Sequence, residues 1–372
     1  MSVTTGLVIL GTALWLIILL LPWRPWSTRE QLEARSGCDL SDAGAITVLI
    51  PARNEAAVLG TTLEALQHQA RGLRIVVIDD QSGDATARLA RERGCEVITG
   101  TAPAPGWSGK LWALQQGLRT VTTPYVLLLD ADIELAPGTL SALRDKAGSG
   151  LDLVSLMAEP SLRHPVERLL MPAFVLFFKL LYPFALANGD NPRHAAAAGG
   201  CILVRREALQ AIDAFGCLHD ALIDDCSLAA RLKRAGFRTW IGLSRAARSL
   251  RAQSGLGPIW QMVARTAYTQ LRYSPALLAL CTLLMTSLFW FAPMAPLLEP
   301  GHGYLLGALS WMAMVVSYRP TLRYYGLSTL WSLALPLIGT LYLAMTWSSA
   351  LGYWRGTRSQ WKGRRYETPT AG

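Results

Sequence analysis

Short apolar runs alternate with helically patterned stretches through the middle of the chain, while long apolar blocks occupy both ends. Ile46 to Ile50, Arg74 to Ile78, Glu96 to Ile98 and Tyr125 to Leu129 read as strands. Glu55 to Gln69, Gly83 to Arg93 and Leu111 to Val121 place apolar residues at helical spacing between them. Successive strand–helix units of this kind predict an α/β domain with a mostly parallel sheet and right-handed crossovers. The run Tyr125-Val-Leu-Leu-Leu129 is too apolar for a sheet with one wet face, so it belongs inside a sheet covered by helices on both sides.

The ends read differently. Thr4 to Leu21 is an almost unbroken apolar stretch of about 18 residues, close to the roughly 20 that cross a bilayer as a helix. It lacks a basic start and a small-x-small cleavage site, so an uncleaved anchor is expected over residues 1–23 rather than a signal peptide. Arg24, Arg29 and Arg35 follow it, which by the positive-inside rule places the amino terminus outside and the following chain in the cytoplasm. Pro275 to Leu298, Tyr304 to Val316 and Leu327 to Leu351 form a membrane block over 275–353, the last stretch read as interrupted at Pro336 and Gly339. A basic tail at 354–372, with Arg355, Arg358, Lys362, Arg364 and Arg365, belongs inside, so two or four crossings are expected in that block. Residues 24–45 read as a linker, and 46–254 as the cytoplasmic domain.

Composition sharpens this division. The chain has 372 residues, 51% of them hydrophobic and only 16% charged, too apolar for a wholly soluble protein. Much of the formal +9 charge lies in the tail and beside apolar helices, which fits anionic lipid headgroups. No zinc finger, RNA-binding aromatic pair or basic recognition helix is present, so nucleic acid is not an expected partner. The cysteines and histidines show no metal-ligand spacing. Two segments are expected to lie in the membrane interface. The first is about 163–188, apolar nearly all round between Arg168 and Arg193, for which a buried core helix is the plain alternative. The second is 255–274, with Trp260, Tyr268 and Tyr273 beside Arg265 and Arg272.

Candidate chemistry collects where the strands end. The first strand runs into Pro51-Ala-Arg-Asn-Glu55, the second into Asp79-Asp-Gln-Ser82 and the fourth into Asp130-Ala-Asp132. In a parallel sheet these carboxyl ends face one crevice. Asp130 and Asp132, two apart on an extended chain, point to the same side and can share a divalent cation against a diphosphate. Asp79 or Asp80 can accept hydrogen bonds from a base or ribose, and Arg53 or Lys110 can offset phosphate charge. Helix capping explains Asn54 and Asp84 but not acid pairs recurring at strand ends. No Gly-x-Gly-x-x-Gly or Walker lysine loop follows the first strand, which excludes the usual dinucleotide and P-loop sites.

Ile50-Pro-Ala-Arg-Asn-Glu55, Val77-Ile-Asp-Asp-Gln-Ser-Gly-Asp84, Gly109-Lys-Leu-Trp-Ala-Leu114, Asp130-Ala-Asp132 and Ile223-Asp-Asp-Cys226 occur in the order seen in family 2 glycosyltransferases, which the chain resembles from about residue 45 to 275. Pro105-Gly-Trp-Ser-Gly-Lys-Leu-Trp112, Ala197-Ala-Gly-Gly-Cys-Ile-Leu-Val204 and Met262-Val-Ala-Arg-Thr266 are similar to the hopene-associated subgroup. The resemblance implies a GT-A nucleotide-diphospho-sugar transferase fold, Rossmann-like, flanked by membrane helices. It implies Pro51, Arg53, Glu55, Asp79, Asp80, Lys110, Asp130, Asp132 and Arg265 at the donor, with Asp130 and Asp132 on Mg or Mn. It places the catalytic acid pair at Asp224 and Asp225, with Asp225 as the base. Capping of a helix from Ser227 to Ala235 is the plain alternative for that pair. Processive relatives carry Gln-x-x-Arg-Trp; here Gln261-Met-Val-Ala-Arg265 is followed by Thr266, which argues against polymer synthesis.

The expected function is thus a membrane-bound inverting transfer of sugar from a nucleoside diphosphate, UDP first among candidates, to a lipid hydroxyl, with a hopanoid acceptor by resemblance. The alternatives are a polyprenyl-phosphate or sphingolipid-type sugar transferase and a catalytically idle membrane scaffold. A multispan transporter fits less well, because no paired charges lie inside the apolar segments.

Overall fold

The computed structural model describes residues 2–35, 43–219, 224–298 and 301–356, with the backbone of 360–361 and 364–365. Residues 36–42 of the expected linker, Ile223 beside the acid pair and most of the expected basic tail lie outside the described residues. The chain divides into two compact units. One comprises Glu30–Ser161, Leu186–Ala252 and Gln360–Gly372, and the other Met1–Arg29, Leu162–Ala185 and Gln253–Ser359. The segment expected as an interfacial insert of the catalytic domain thus falls largely in the second unit.

The first unit is built on an eight-stranded sheet. In chain order it contains β1 (Ile46–Ala52), α1 (Ala56–Gln67), β2 (Arg74–Asp79), α2 (Thr86–Glu92), β3 (Glu96–Thr99), α3 (Gly109–Leu118), β4 (Tyr125–Leu129) and β5 (Ile133–Leu135). It continues through α4 (Thr139–Gly148), β6 (Leu153–Glu159), β7 (Cys201–Arg205), α5 (Arg206–Ala211), α6 (Asp224–Arg234) and β8 (Thr239–Ser249). The strand order is β3-β2-β1-β4-β7-β6-β8-β5. Pairs β3-β2, β2-β1, β1-β4 and β6-β8 are parallel, whereas β4-β7, β7-β6 and β8-β5 are antiparallel. The sheet is therefore mixed rather than mostly parallel, because β7 returns against β4 where the sequence pattern showed no strand.

Every residue of β1 and β4 is buried, as the unbroken apolar runs require for central strands covered on both faces. One core joins Val48, Ile50, Leu127 and Leu129 to Leu59 and Leu63 of α1, and a second joins Leu49, Val76 and Leu128 to Leu111 and Leu114 of α3. Both layers leave the carboxyl ends of β1, β2 and β4 adjacent: Ala52 lies beside Asp79, and Leu49 beside Leu128.

The second unit is helical, with helices Val3–Leu20, Pro165–Leu181, Leu256–Gln270, Pro275–Thr286, His302–Tyr324 and Leu335–Trp354. Among the described residues two helical stretches are long and apolar enough to cross a membrane, Val3–Leu20 and Thr329–Trp354, and Leu256–Gln270 meets Pro275–Phe291 at a 118° bend. Pro336 marks the point where the 3-10 helix Thr329–Ala334 gives way to the α-helix Leu335–Trp354, in whose first turn its missing N–H costs nothing. Gly339 lies inside that helix because it seats against the ring of Phe289, where a Cβ would come within 2.3 Å of the ring. The helix Pro165–Leu181 buries Leu170, Met171, Ala173 and Leu176 in the core of this unit. Its Lys179 is also buried and donates to the carbonyl of Ser27, so one face of this segment follows the buried-core alternative.

Candidate active site

Loops at the strand ends are tied to one another before any ligand is considered. After β1, Asn54 adopts φ 52°, and after β2, Gln81 adopts φ 57°, a left-handed region that non-glycine residues rarely occupy. Asn54 does not cap a helix. Its side chain accepts from Gly83 N–H at 2.8 Å while its own N–H donates to Ser82 Oγ at 3.0 Å, which knits the two loops. Asp84 does cap, accepting from Thr86 N–H at 3.0 Å and from Ala56 N–H at 3.2 Å. Arg53 donates to the Asp80 carbonyl at 2.5 Å and lies 3.7 Å from its carboxylate. In this arrangement it braces the β2 loop. Asp79 and Asp80 are both buried, and Asp79 accepts from Ser82 N–H at 3.3 Å.

Asp130-Ala-Asp132 forms a tight turn between β4 and β5, closed by Ile133 N–H on the Asp130 carbonyl at 3.1 Å. The alternation of an extended strand therefore does not orient the two acids; the turn does. Three elements hold it: Asp130 N–H donates to Gly200 at 3.0 Å, Thr62 Oγ1 of α1 donates to the Ala131 carbonyl at 2.9 Å, and Leu250 N–H after β8 donates to the Asp132 carbonyl at 2.7 Å. Each carboxylate already has a cation. Lys110 Nζ lies 2.7 Å from Asp130 Oδ1, and Arg251 Nε lies 3.0 Å from Asp132 Oδ2.

Arg251 also places Nη2 at 2.7 and 2.9 Å from the two oxygens of Glu55, a nearly buried carboxylate. Glu55, expected at the donor, is the seat of Arg251. Sequence patterning had not singled out this arginine. Arg245 and Arg248 precede it at the same spacing, yet they pair with Glu33 and Glu159 respectively.

The acid pair opens α6, so the helix starts at Asp224, three residues before the expected Ser227. Asp225 Oδ2 accepts from Gly199 N–H at 2.8 Å, and Oδ1 from Cys226 N–H at 2.7 Å. Gly199 sits close under both groups: a Cβ there would stand 3.3 Å from Asp225 Oδ2 and 3.4 Å from Lys110 Nζ. One cavity is lined by Pro51, Lys110, Asp130, Gly199, Asp224 and Asp225, over an apolar floor that includes Leu111, Leu114 and Phe215. Lys110 enters it from the first turn of α3, which Ser108 caps through Leu111 N–H at 3.2 Å. Behind it, buried Lys233 of α6 donates to the carbonyls of Ala187 and His194, both at 2.6 Å, and so fixes the chain leading to Gly199.

Electrostatics follow from an excess of acid. Burial pushes the Asp225 carboxyl up to about 6, and the neighbouring Asp224 charge adds to it. Burial and the charge of Asp132 likewise push Asp130 up against the pull of Lys110. Burial opposes the charge of Lys110, but Asp130, Asp224 and Asp225 outweigh it, so its ammonium is held charged. Burial and neighbouring acids thus raise Asp130 and Asp225, and the same acids raise Lys110.

That excess of acid bears on a cation. Among the described residues no three His, Cys, Asp or Glu side chains are grouped closely enough to hold a metal alone. Asp130 and Asp132 nevertheless offer the oxygen ligands that Mg or Mn takes, and such ions commonly complete their shell with substrate phosphates and water. The residues fit a cation that arrives with a diphosphate. Arg265 lies in Leu256–Gln270 of the helical unit.

Residues 43–269 match the model of the family described as "Glycosyltransferase like family 2", more than half of the chain. The chain belongs to that glycosyltransferase family. The glycosyltransferase is 39% identical over 92 residues to the 4,4'-diaponeurosporenoate glycosyltransferase of Staphylococcus haemolyticus, a match covering 24% of each chain. It is 34% identical over 116 residues to an uncharacterised glycosyltransferase of Mycobacterium tuberculosis, covering 31% of this chain and 50% of that one. The chain thus spans between a quarter and a half of the curated relatives it matches. A mannosyltransferase from Pyrobaculum calidifontis, solved in complex with GDP-Man and Mn2+, superposes with a TM-score of 0.53 at 17% identity, over 94% of this chain and 99% of that one. That likeness establishes a shared nucleotide-sugar transferase fold of the GT-A type.

Proposed function

We propose that this glycosyltransferase is a membrane-bound, inverting enzyme. It moves a sugar from a nucleoside diphosphate, UDP first among candidates, to the hydroxyl of an apolar lipid at the cytoplasmic face, with a hopanoid as the proposed acceptor. The observation that carries the reading is the cavity in which Asp225, held by Gly199, shares its walls with Lys110 and Asp130. Two candidate membrane-crossing stretches and a relative named for a lipid-like acceptor support the lipid side.

Asp130 and Asp132 would hold a divalent cation, which when bound offsets the negative charge growing on the leaving diphosphate. Asp225 takes the proton from the acceptor hydroxyl. That oxygen attacks the anomeric carbon as the bond to the diphosphate oxygen breaks on the opposite face, and the electron pair leaves with the nucleotide. A single displacement of this kind inverts the anomeric configuration. A carboxylate raised to about 6 is a stronger base than a free aspartate and is still ionised at neutral pH. Lys110 keeps Asp130 oriented and supplies a fixed positive charge at the same wall. Asp79 and Asp80 are proposed at the nucleoside, with Pro51 lining the wall beside it.

The test is product analysis. Detergent-purified enzyme is supplied with UDP- and GDP-sugars, a divalent cation and hopanoid, polyprenyl-phosphate and ceramide acceptors in parallel. A glycolipid whose anomeric configuration is opposite to that of the donor supports the reading. Retention would remove Asp225 as the base of a single displacement, and transfer only to polyprenyl phosphate would replace the hydroxyl acceptor.

A further inference from the structure

Three arginines follow one another at intervals of three in and just after β8, and the last bridges two acids. Arg245 pairs with Glu33 and Arg248 with Glu159, and both are more than half exposed. Arg251 joins Asp132 and Glu55, whose side chains are only 15% and 9% exposed. A guanidinium cannot shed its proton in a protein, so Arg251 keeps its positive charge beside Asp132 whatever the pH.

We infer that Arg251 is a built-in counter-cation that bars a divalent ion from Asp132 until a diphosphate arrives, making cation and nucleotide mutually dependent ligands. The inference rests on the proposed placement of the donor cation at Asp130 and Asp132. Asp132 Oδ2 accepts from Arg251 Nε at 3.0 Å. A divalent ion entering alone meets that positive charge a few ångströms away and, among the described residues, no group of three His, Cys, Asp or Glu to offset it. A diphosphate brings oxygens to both cations at once. Arg251 can then leave Asp132 while Glu55 still holds its Nη2, and its remaining N–H groups can turn to phosphate oxygens. Glu55 acts as a positioning residue in this exchange. Whatever affinity the nucleotide adds for the ion, the ion adds for the nucleotide.

The experiment titrates Mn2+ into the full-length detergent-purified protein, following the free-ion spin-resonance signal, with and without UDP, GDP, dTDP or CMP. Wild type, Arg251→Gln and Arg251→Lys are compared, with melting curves to establish that each is folded. The wild type is expected to bind Mn2+ weakly alone and at least about tenfold more tightly with its nucleotide. Arg251→Gln is expected to bind nucleotide-free Mn2+ about tenfold more tightly than wild type, as removal of one opposing charge in a half-exposed site implies, and to lose most of the coupling. Arg251→Lys keeps the charge and is expected to keep the weak nucleotide-free binding. Unchanged Mn2+ affinity in Arg251→Gln, or equal tightening in Arg251→Lys, overturns the role of Arg251 while leaving the donor site standing. Failure of the wild type to bind Mn2+ with any nucleotide overturns the donor-cation reading and this inference with it.

Discussion

Asp225 differs from an ordinary helix-opening acid in what holds it. Both of its oxygens accept backbone N–H groups, yet burial and Asp224 keep its pKa near 6. Replacing it with Asn preserves shape and removes the base, so sugar transfer should fall by about 10²–10⁴-fold, the usual contribution of a general base, in a steady-state assay. The pH dependence follows from the same value. The base works only when ionised, so kcat/KM of the wild type should fall about tenfold per unit as pH drops below about 6. For stability the sign reverses: a carboxyl raised on folding stabilises the protonated form below the unfolded value of 3.8, and that contribution is lost as pH rises through about 6. Asp225→Asn should therefore melt higher than wild type at pH 8, with the gap closing toward pH 4. A constant gap across that range would show that Asp225 is not raised.

Elements carry the site through contacts that sequence patterning partly exposed. The strands β1, β2 and β4 were legible because central strands covered on both sides need unbroken apolar runs, and the acids beyond them stand out against that background. β5 has only three residues and β8 mixes small, polar and charged positions, whereas β6 and β7 carry the largely apolar runs Leu153–Met157 and Cys201–Val204, too short to be told from helix by pattern alone. Arg251 was hidden for a related reason, since nothing in the spacing separates it from Arg245 and Arg248. Gly199 lies within a motif legible in the sequence, but its N–H hydrogen bond to Asp225 appears only when the two segments are folded together. Lys233 is an element-scale anchor that reads from sequence as one more helix cation. Lys233→Met should leave the buried carbonyl of Ala187 and the half-buried one of His194 without their donor and cost about 1–3 kcal/mol in denaturant unfolding. In the helical unit, Gly339→Val would force the Phe289 ring aside and should cost about 1–3 kcal/mol by overpacking.

At the scale of the whole molecule, a glycosyltransferase sheet and a set of apolar helices share one chain, and composition announced both. The crevice of the sheet unit is rich in acids and short of positive charge, with Asp130, Asp132, Asp224, Asp225 and Glu55 served by Lys110 and Arg251. Chelation of divalent ions should accordingly abolish the thermal stabilisation that the nucleotide gives, and Mg or Mn should restore it. Asp132→Ala should lose that stabilisation even with the ion present. The central claim is that this crevice moves a sugar, with Asp225 as the base. Its most direct test measures donor binding and sugar transfer on the same preparations of wild type and Asp225→Asn. The account predicts equal nucleotide affinity and transfer lowered by at least about a hundredfold in the variant. Transfer within a few-fold of wild type would contradict it.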